Sequence, residues 1–230
     1  AKKYGVDAIR MFLVSIASPD KDIKWSDAGA EGAYKFVMRV MDHSKKVKFG
    51  KSSEKTEHKV NKTIKKITEE VESFKYNLAI IDLREMFENF EEISKEDYKG
   101  FLKMLSIFCP HITEELWEKT SGKGFISLSA WPIADEKKIN PEFDKQEQIT
   151  EKVITDITNI IKIIREKQNK EPERVYIYCI PNELKMYNAE TIAKRVNRKV
   201  TIFTVNDKTK YDPENKAQKA KPGKPAIYLE

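Results

Sequence analysis

The stretch that decides the fold class is RVYIYCIPNELKMYNAETIAKRVNRKVTIFTV, residues 174–205. β-Branched and aromatic residues fill 174–180 and 199–205, a composition typical of β-strands. Pro181-Asn182 predicts a turn, and 183–196 has the composition of a helix. A strand, a helix and a second strand within about thirty residues predict a βαβ crossover. The C-terminal part of the chain is therefore not purely helical.

The residues before this unit show helical periodicity instead. A stripe of isoleucine and valine runs through 146–167, and six earlier helices are predicted from the 3.6-residue period. Those six cover 6–17, 26–49, 54–73, 78–90, 95–109 and 113–119, with Ser18-Pro19 ending the first, Asn77 capping the fourth and Thr113 capping the sixth. The predicted fold is α+β, an N-terminal antiparallel helix bundle followed by a small α/β domain with a βαβ unit.

Composition excludes several classes of protein. Of the 230 residues, 40% are hydrophobic and 10% aromatic, enough to exclude wholesale disorder. No run approaches the roughly 20 apolar residues that span a membrane, and the first residues do not resemble a secretion signal. Cys109 and Cys179 are too few for a disulfide framework and lie in apolar runs. We expect both to be buried thiols in a reducing compartment, the cytoplasm.

The net charge of +6 is concentrated at one end of the chain. Residues 1–149 hold 26 basic and 26 acidic side chains, whereas residues 150–230 hold 17 basic and 11 acidic side chains. A concentrated positive charge favours a polyanionic partner. A solvated, lysine-rich surface explains the composition equally well.

Charge also alternates inside the predicted bundle. Residues 45–66 carry a net charge of +7, and residues 69–97 carry −7. The simpler interpretation is that neighbouring helices complement each other, and it is the one we favour. The alternative is that the basic helix end contacts phosphate.

Motifs of catalytic chemistry are absent from the sequence. Pro222-Gly223-Lys224 lacks the strand and helix context of a phosphate-binding loop. His43, His58 and His111 are scattered, and neither cysteine has a ligand-like neighbour, so no metal site is predicted. Adjacent acids such as Glu114-Glu115 do not face each other on a helix. We predict no catalytic residue in this chain.

Three segments carry a resemblance to a known family. YGVDAIRMFL at 4–13, followed by DKDIKWS at 20–26, resembles the segment after the KMSKS loop of class I aminoacyl-tRNA synthetases. PHITEELW at 110–117 resembles a signature of their leucine, isoleucine and valine branch, and Trp131-Pro132 fits the exit from the bundle. The βαβ unit and the ending KPGKPAIYLE at 221–230 resemble the C-terminal domain of archaeal-type leucyl-tRNA synthetases.

The resemblance implies a division of the chain. Residues 1–33 would be the end of the catalytic-core and stem-contact region, 34–122 the anticodon-binding helix bundle, 123–144 a connector that covers the bundle with Phe125, Leu128 and Trp131, and 145–230 a domain that binds the tRNA variable arm. The HIGH motif, the KMSKS loop, the Rossmann core and the editing domain have no counterpart here. The parent ligase would hold ATP and Mg²⁺ in its missing catalytic domain, and we expect no cofactor and no catalysis in this portion.

The resemblance also implies which residues contact RNA. Residues 194–224 carry a local charge of +7, and Tyr228 and the final residue could read bases. The predicted tRNA-binding residues are Lys194, Arg195, Arg198, Lys199, Lys216, Lys219, Lys221, Lys224, Tyr228 and Glu230, with Arg39, Lys45 and Lys46 as secondary contacts to the tRNA backbone.

Leucine tRNA and the catalytic and editing domains of the parent chain are the implied partners, with no membrane and no DNA. Two alternatives stay open. One is a helical protein-interaction module that uses the acidic stretch 69–97. The other is the equivalent part of an isoleucine- or valine-specific synthetase.

Overall fold

The computed structural model describes residues 1–17, 21–22, 24–88, 90 and 93–230. It divides into two compact units, Ala1–Asn140 and Pro141–Glu230, each with its own hydrophobic core. Within these described ranges, no helix is both long and apolar enough to cross a membrane. The predicted helix stop at Ser18-Pro19 lies outside the described residues, as do Asp20 and Ile23 of the quoted motif.

The first unit is a helix bundle, as predicted. Its described residues form six α-helices: α1 (Val6–Ser15), α2 (Asp27–Lys46), α3 (Glu54–Glu72), α4 (Tyr76–Phe87), α5 (Lys95–Leu105) and α6 (Pro110–Lys119). The apolar periodicity identified all six, because each helix buries one stripe of side chains in a common core. The predicted ends differ by up to four residues, since side-chain patterns locate helix ends poorly.

An aromatic cluster fills the centre of this bundle. Phe90 packs edge-on against Phe101 with ring centroids 5.1 Å apart, and Phe87 stacks on Phe101 at 5.6 Å. All three rings and Tyr98 are buried. Burying one such side chain stabilises a fold by about 1.5–3 kcal/mol, and favourable ring geometry adds about 0.5–1.5 kcal/mol. The cluster therefore packs α4 against α5.

Serine residues cap three of the helices. The hydroxyl oxygens of Ser26, Ser53 and Ser94 accept hydrogen bonds from the backbone N–H three residues on, at 3.0–3.1 Å. This satisfies one of the unpaired donors at each helix start.

The two caps predicted from the sequence are wrong. The chain reverses at Phe74, whose φ is 58°, and the Lys75 amide donates to the Glu70 carbonyl at 2.7 Å. Helix α4 therefore begins immediately, at Tyr76, which leaves Asn77 inside it. Thr113 also lies inside a helix, because α6 begins at Pro110, and its hydroxyl donates to the Cys109 carbonyl at 2.8 Å. Proline is favoured at a first helical position, and here it decides where α6 begins.

The predicted connector covers the bundle only in part. Trp131 is half-buried, and its Nε1 donates to Thr68 Oγ1 at 2.8 Å. Phe125 and Leu128 are exposed, so their predicted packing on the bundle is wrong. Ile126, which lies between them, is buried instead. A short 3-10 helix at Ile126–Leu128 turns one side chain inward and its neighbours outward.

The second unit contains the predicted βαβ crossover. Helix α7 (Pro141–Gln168) leads to strand β1 (Arg174–Cys179), a 3-10 helix at Pro181–Met186, helix α8 (Ala189–Val196) and strand β2 (Lys199–Thr204). A further 3-10 helix at Lys216–Lys219 precedes strand β3 (Ala226–Leu229). The strand order is β2-β1-β3, with β1 parallel to β2 and antiparallel to β3. The predicted α+β fold is confirmed.

The two faces of this sheet have different chemistry, because alternate strand residues point to opposite sides. One face carries Val175, Ile177 and Cys179 of β1 in a core shared with Val153 and Ile157 of α7. The other face carries tyrosines. There Tyr176 and Tyr178 cluster with Phe203, Tyr228 and Ala217. The second face is the one that bears on function.

Candidate nucleic-acid interface

A row of charged residues crosses one end of the sheet. Arg174 is the register partner of Lys199 on β2, and the Glu230 amide donates to the Arg174 carbonyl at 3.0 Å. Since β1 and β2 are parallel and β3 runs back, Lys199, Arg174 and Glu230 lie side by side and exposed. Lys199 and Arg174 repel each other as like charges on neighbouring strands, whereas Tyr176 and then Glu230 stabilise the charged Arg174 and raise its pKa, so the row carries two cations beside one anion. Lys199 and Glu230 were predicted site residues.

The basic residues on α8 and in the turn that follows it have different surroundings. Arg195 makes a double hydrogen bond to Glu151 of α7, at 2.9 and 3.1 Å. Arg198 has a structural position: its Nε donates to the Pro172 carbonyl at 2.6 Å, it pairs with Glu171, and its side chain is 17% exposed. Lys194 is exposed on α8. Because Arg195 and Arg198 already have protein partners, a phosphate would have to compete for them.

The segment that follows β2 packs across the tyrosine face. Ala217 is buried against it, and the Asp212 carboxylate accepts from the amides of Lys216 and Ala217 at 2.7 and 2.9 Å. Lys216 pairs with Glu214 at 3.1 Å, and Lys219 is exposed. The segment is lysine-rich, yet it packs on the sheet. Its few alanines and one tyrosine find an apolar surface on the sheet.

Lys221 and Lys224 flank a tight turn. Their backbones exchange two hydrogen bonds of 2.9 Å around Pro222 and Gly223. Proline at the second position and a glycine with φ of 71° at the third are the type II pattern. The Gly223 amide donates to Glu183 at 2.7 Å, which fixes the turn while both lysine side chains stay exposed.

The predicted RNA-contacting residues of this unit do not form one cluster. Lys199 and Glu230 lie at the end where β1 begins, with Lys194 and Arg195 on the helix that leads there. Lys221 and Lys224 precede β3, whose first residue, Ala226, pairs with Tyr178 near the other end of β1. The positive charge thus flanks the sheet from two ends.

Tyr228 lies between these ends. Its ring stacks on Tyr176 at 6.0 Å and is half-buried. Burial is the largest cause of its raised pKa, so its hydroxyl stays protonated at neutral pH.

Two exposed residues of this face were not among the predicted ones. The strand composition marks Arg174 only as the start of β1, and no pattern in the sequence marks Tyr211 as a functional residue. The signal that identifies Arg174 is its even spacing with Tyr176 and Tyr178, which places the three on one face. The sequence does not predict that Tyr211 lies on this face, because Tyr211 is in the loop after β2 and has no strand periodicity.

The secondary candidates lie on α2 of the first unit. Arg39 pairs with Glu88 and lies over the Phe36 ring at 5.8 Å, and Lys45 pairs with Asp42 at 2.9 Å. Lys46 is exposed at the end of the helix. Exposed ion pairs of this kind are weak, so both side chains can exchange partners.

Basic α3 and acidic α4 complement each other, as the simpler interpretation held. Lys59 binds Glu85 at 2.6 Å, and Lys66 binds Asp82 at 2.8 Å. These contacts join α3 to α4 across the bundle. A protein partner is therefore not needed to account for these acids of α4.

Asp82 also faces a second carboxyl group. Glu70 of α3 is buried beside it, and burial followed by the proximity of Asp82 raises the pKa of Glu70 to about 7. Two carboxylates in such a place do not both ionise easily. Lys66 pairs with Asp82, and Glu70 holds its proton until the pH rises through about 7.

The described residues contain no group of three or more potential metal ligands. Both cysteines are buried and free, as predicted. Burial raises the pKa of Cys179 to about 11 and that of Cys109 further still, so neither is a thiolate at neutral pH.

The fold places the chain in the class of helix bundles that carry an appended α/β unit. Residues 54–177, more than half of the chain, match the family described as the anticodon-binding domain of tRNA ligase. The chain belongs to this family.

Two curated relatives carry the same enzyme name. The leucine–tRNA ligase of Orientia tsutsugamushi (strain Boryong) is 35% identical over 153 residues, which are 61% of this chain and 18% of that protein. That of Rickettsia bellii (strain RML369-C) is 31% identical over 206 residues, 76% of this chain and 25% of that protein. The chain thus spans a quarter or less of these relatives.

A solved structure shares the fold. It is the ternary complex of Agrobacterium radiobacter K84 LeuRS with tRNA and LeuAMS, with a TM-score of 0.51 and 23% sequence identity. The similarity covers 60% of this chain and 21% of that one.

Proposed function

We propose that this chain is the tRNA-binding portion of a leucine–tRNA ligase, the enzyme that attaches leucine to leucine tRNA with ATP, and that it is inactive by itself. The observation that carries the proposal is the family match over 54–177. The enzyme name of its relatives supports leucine over isoleucine or valine. Because the chain spans only part of those relatives, ATP, Mg²⁺ and the editing reaction would belong to the parent enzyme's other domains.

The second unit is the part that we propose to select the tRNA, through the long variable arm. Exposed cations at both ends of its sheet can follow a phosphate backbone, which gives affinity without sequence preference. The motif at 221–230 suggested the archaeal type of the enzyme, whereas the relatives named above are bacterial. The proposal holds for either type.

A cytoplasmic location completes the proposal. Two buried, unpaired thiols fit a reducing compartment.

Binding to two tRNAs tests this function. The 230-residue chain should bind leucine tRNA about tenfold more tightly than a tRNA with a short variable arm, and affinity should fall steeply between 50 and 200 mM salt. Equal binding of the two tRNAs at every salt concentration would contradict the proposal.

The variants should reverse exposed charge and spare the fold. Removing residues 212–230 is unsuitable, because it deletes β3 and the segment that covers the tyrosine face. Lys219, Lys221 and Lys224 changed together to glutamate should abolish the preference for leucine tRNA. The matched control changes the exposed Lys2, Lys21 and Lys123 of the first unit to glutamate. An equal loss in both triple variants would mean that net charge alone drives binding.

A further inference from the structure

We propose that Tyr211, with Tyr228 beside it and with Arg174 and Lys199 at the rim, is a stacking site for one unpaired RNA base. This inference rests on the proposed function and names the chemical group that the second unit would read.

The sheet presents the tyrosine face as ordered rows. The first row is Lys199, Arg174 and Glu230, the second is Thr201, Tyr176 and Tyr228, and the third is Phe203, Tyr178 and Ala226. Residues after β2 cover the third row, where Ala217 packs. The first row and Thr201 remain exposed. The open part of the face therefore joins cations to aromatic rings.

Tyr211 is held over this face at a fixed position. Its backbone carbonyl accepts a hydrogen bond from the Tyr178 hydroxyl at 2.5 Å. Its ring lies against Tyr176 at 4.9 Å and near Tyr228 at 6.3 Å. Tyr176 and Tyr178 are buried beneath it, yet Tyr211 itself is 44% exposed. An aromatic ring that is supported on one side and open on the other loses little entropy when a base stacks on it.

Charge around the ring favours a base over a phosphate. Burial, followed by the negative charge of Glu230, raises the pKa of the Tyr211 hydroxyl, so a carboxylate near the ring repels phosphate from it. Arg174 lies next to Glu230 in the same row, and Lys199 lies beyond Arg174. A nucleotide can place its uncharged base on Tyr211 and its phosphate against these two cations. RNA-binding proteins combine stacking and backbone contacts in this way when they read unpaired bases.

Two single-stranded probes separate stacking from electrostatics. One is a short labelled oligoadenylate, and the other is an abasic strand with the same number of phosphates. By fluorescence anisotropy, the unmodified chain should bind the adenylate about 5- to 100-fold more tightly than the abasic strand. Tyr211→Ala should lose that preference, and Tyr211→Phe should keep it. Phe125→Ala, at an exposed aromatic in the first unit, is the matched control and should change nothing.

A Tyr211→Leu variant controls for misfolding, because leucine keeps the apolar contact with Tyr176 but has no aromatic ring on which a base could stack. If the Tyr211→Leu variant no longer prefers the adenylate over the abasic strand, and its near-UV circular dichroism matches that of the unmodified chain, the result supports stacking even if the alanine variant unfolds. An unchanged preference in Tyr211→Leu overturns the inference, as does the absence of any preference in the unmodified chain. Failure of the proposed function is a separate result, because it is measured as equal binding of leucine tRNA and other tRNA.

Discussion

The carboxylate of Asp7 caps the N-terminus of a helix that lies 105 residues away in sequence: its Oδ2 accepts a hydrogen bond from the Ile112 amide at 2.8 Å. The other oxygen accepts from His111 Nδ1 at 2.7 Å. Asp7 belongs to α1, and His111 and Ile112 belong to the first turn of α6. Two of the segments that carry the family resemblance, 4–13 and 110–117, are therefore one structural unit.

Replacing Asp7 by alanine should destabilise the first unit by about 2 kcal/mol, because a buried cap with a charged acceptor is lost. Tryptophan fluorescence during urea unfolding measures this, since all three tryptophans, Trp25, Trp117 and Trp131, lie in that unit. Asp7→Asn should lose less, because one oxygen acceptor remains. Glu31→Ala, at an exposed pair with Lys35, should leave the midpoint unchanged. A midpoint for Asp7→Ala equal to that of this control would contradict the capping role.

The pH dependence of the bundle should depend on Glu70. Its pKa rises from the ordinary value of 4.5 to about 7 in the folded protein, so its stabilising contribution is complete below pH 4.5 and is lost as pH rises through about 7. Glu70→Gln imitates the protonated form. We expect it to be more stable than the unmodified protein by about 1–2 kcal/mol at pH 8, allowing for partial solvent screening of a shift worth about 1.4 kcal/mol per pKa unit.

At pH 4.5 and below, the Glu70→Gln variant and the unmodified protein should unfold at nearly the same urea concentration. The neighbouring Glu69 is exposed, so Glu69→Gln is the control and should show the pH profile of the unmodified protein. A constant difference between Glu70→Gln and the unmodified protein from pH 4 to pH 8 would refute the assignment.

Arg198 and Arg195 should respond differently to removal. Arg198→Ala leaves the Pro172 carbonyl without its donor and opens a largely buried site, so we expect a loss of about 1–2 kcal/mol in the second unit. Arg198→Lys should recover only part of this lost stability, because an ammonium group cannot make the several coplanar hydrogen bonds of a guanidinium group. Arg195→Ala breaks only an exposed pair with Glu151 and should cost less. Amide hydrogen exchange of β1 reports on this unit, and equal protection in the two alanine variants would contradict the distinction.

Two glycines of the first unit should give opposite results. A Cβ added to Gly122 would lie 2.2 Å from the Trp117 ring, so Gly122→Ala should cost about 1–3 kcal/mol by forcing that ring to move. A Cβ on Gly32 would meet nothing within 4 Å, and Gly32 lies inside α2. Gly32→Ala should therefore stabilise the unit by about 0.5–1 kcal/mol. Both changes in stability are measured by the same tryptophan-monitored urea unfolding. If Gly122→Ala stabilised the unit, the Trp117 ring would be able to move aside without cost, and the prediction would be wrong.

Sequence pattern predicted the six helices of the first unit, helix α7 and strands β1 and β2, because burial acts on the residues of each stripe themselves. It did not predict β3 as a strand, and the helix predicted over 183–196 is wrong in its first part, which forms a 3-10 helix before α8 begins at Ala189. The features it missed depend on distant partners. Asn77 failed as a cap because the reversal at Phe74 had already started the helix, and Phe125 is exposed because Ile126 takes the inward position. The position of Tyr211 was equally unpredictable, since a hydroxyl on Tyr178 holds it.

The placement of β3 has a consequence during synthesis. Strand β3, Ala226–Leu229, flanks the central strand, so on the ribosome β1 can pair with β2 while its other edge stays open until 226–229 emerge. An open strand edge next to exposed tyrosines invites association between nascent chains. The helical bundle, whose residues are translated earlier, can complete its core before this risk arises. A stop codon placed before Ala226 would thus leave a folded bundle joined to a sheet whose central strand has an unpaired, association-prone edge.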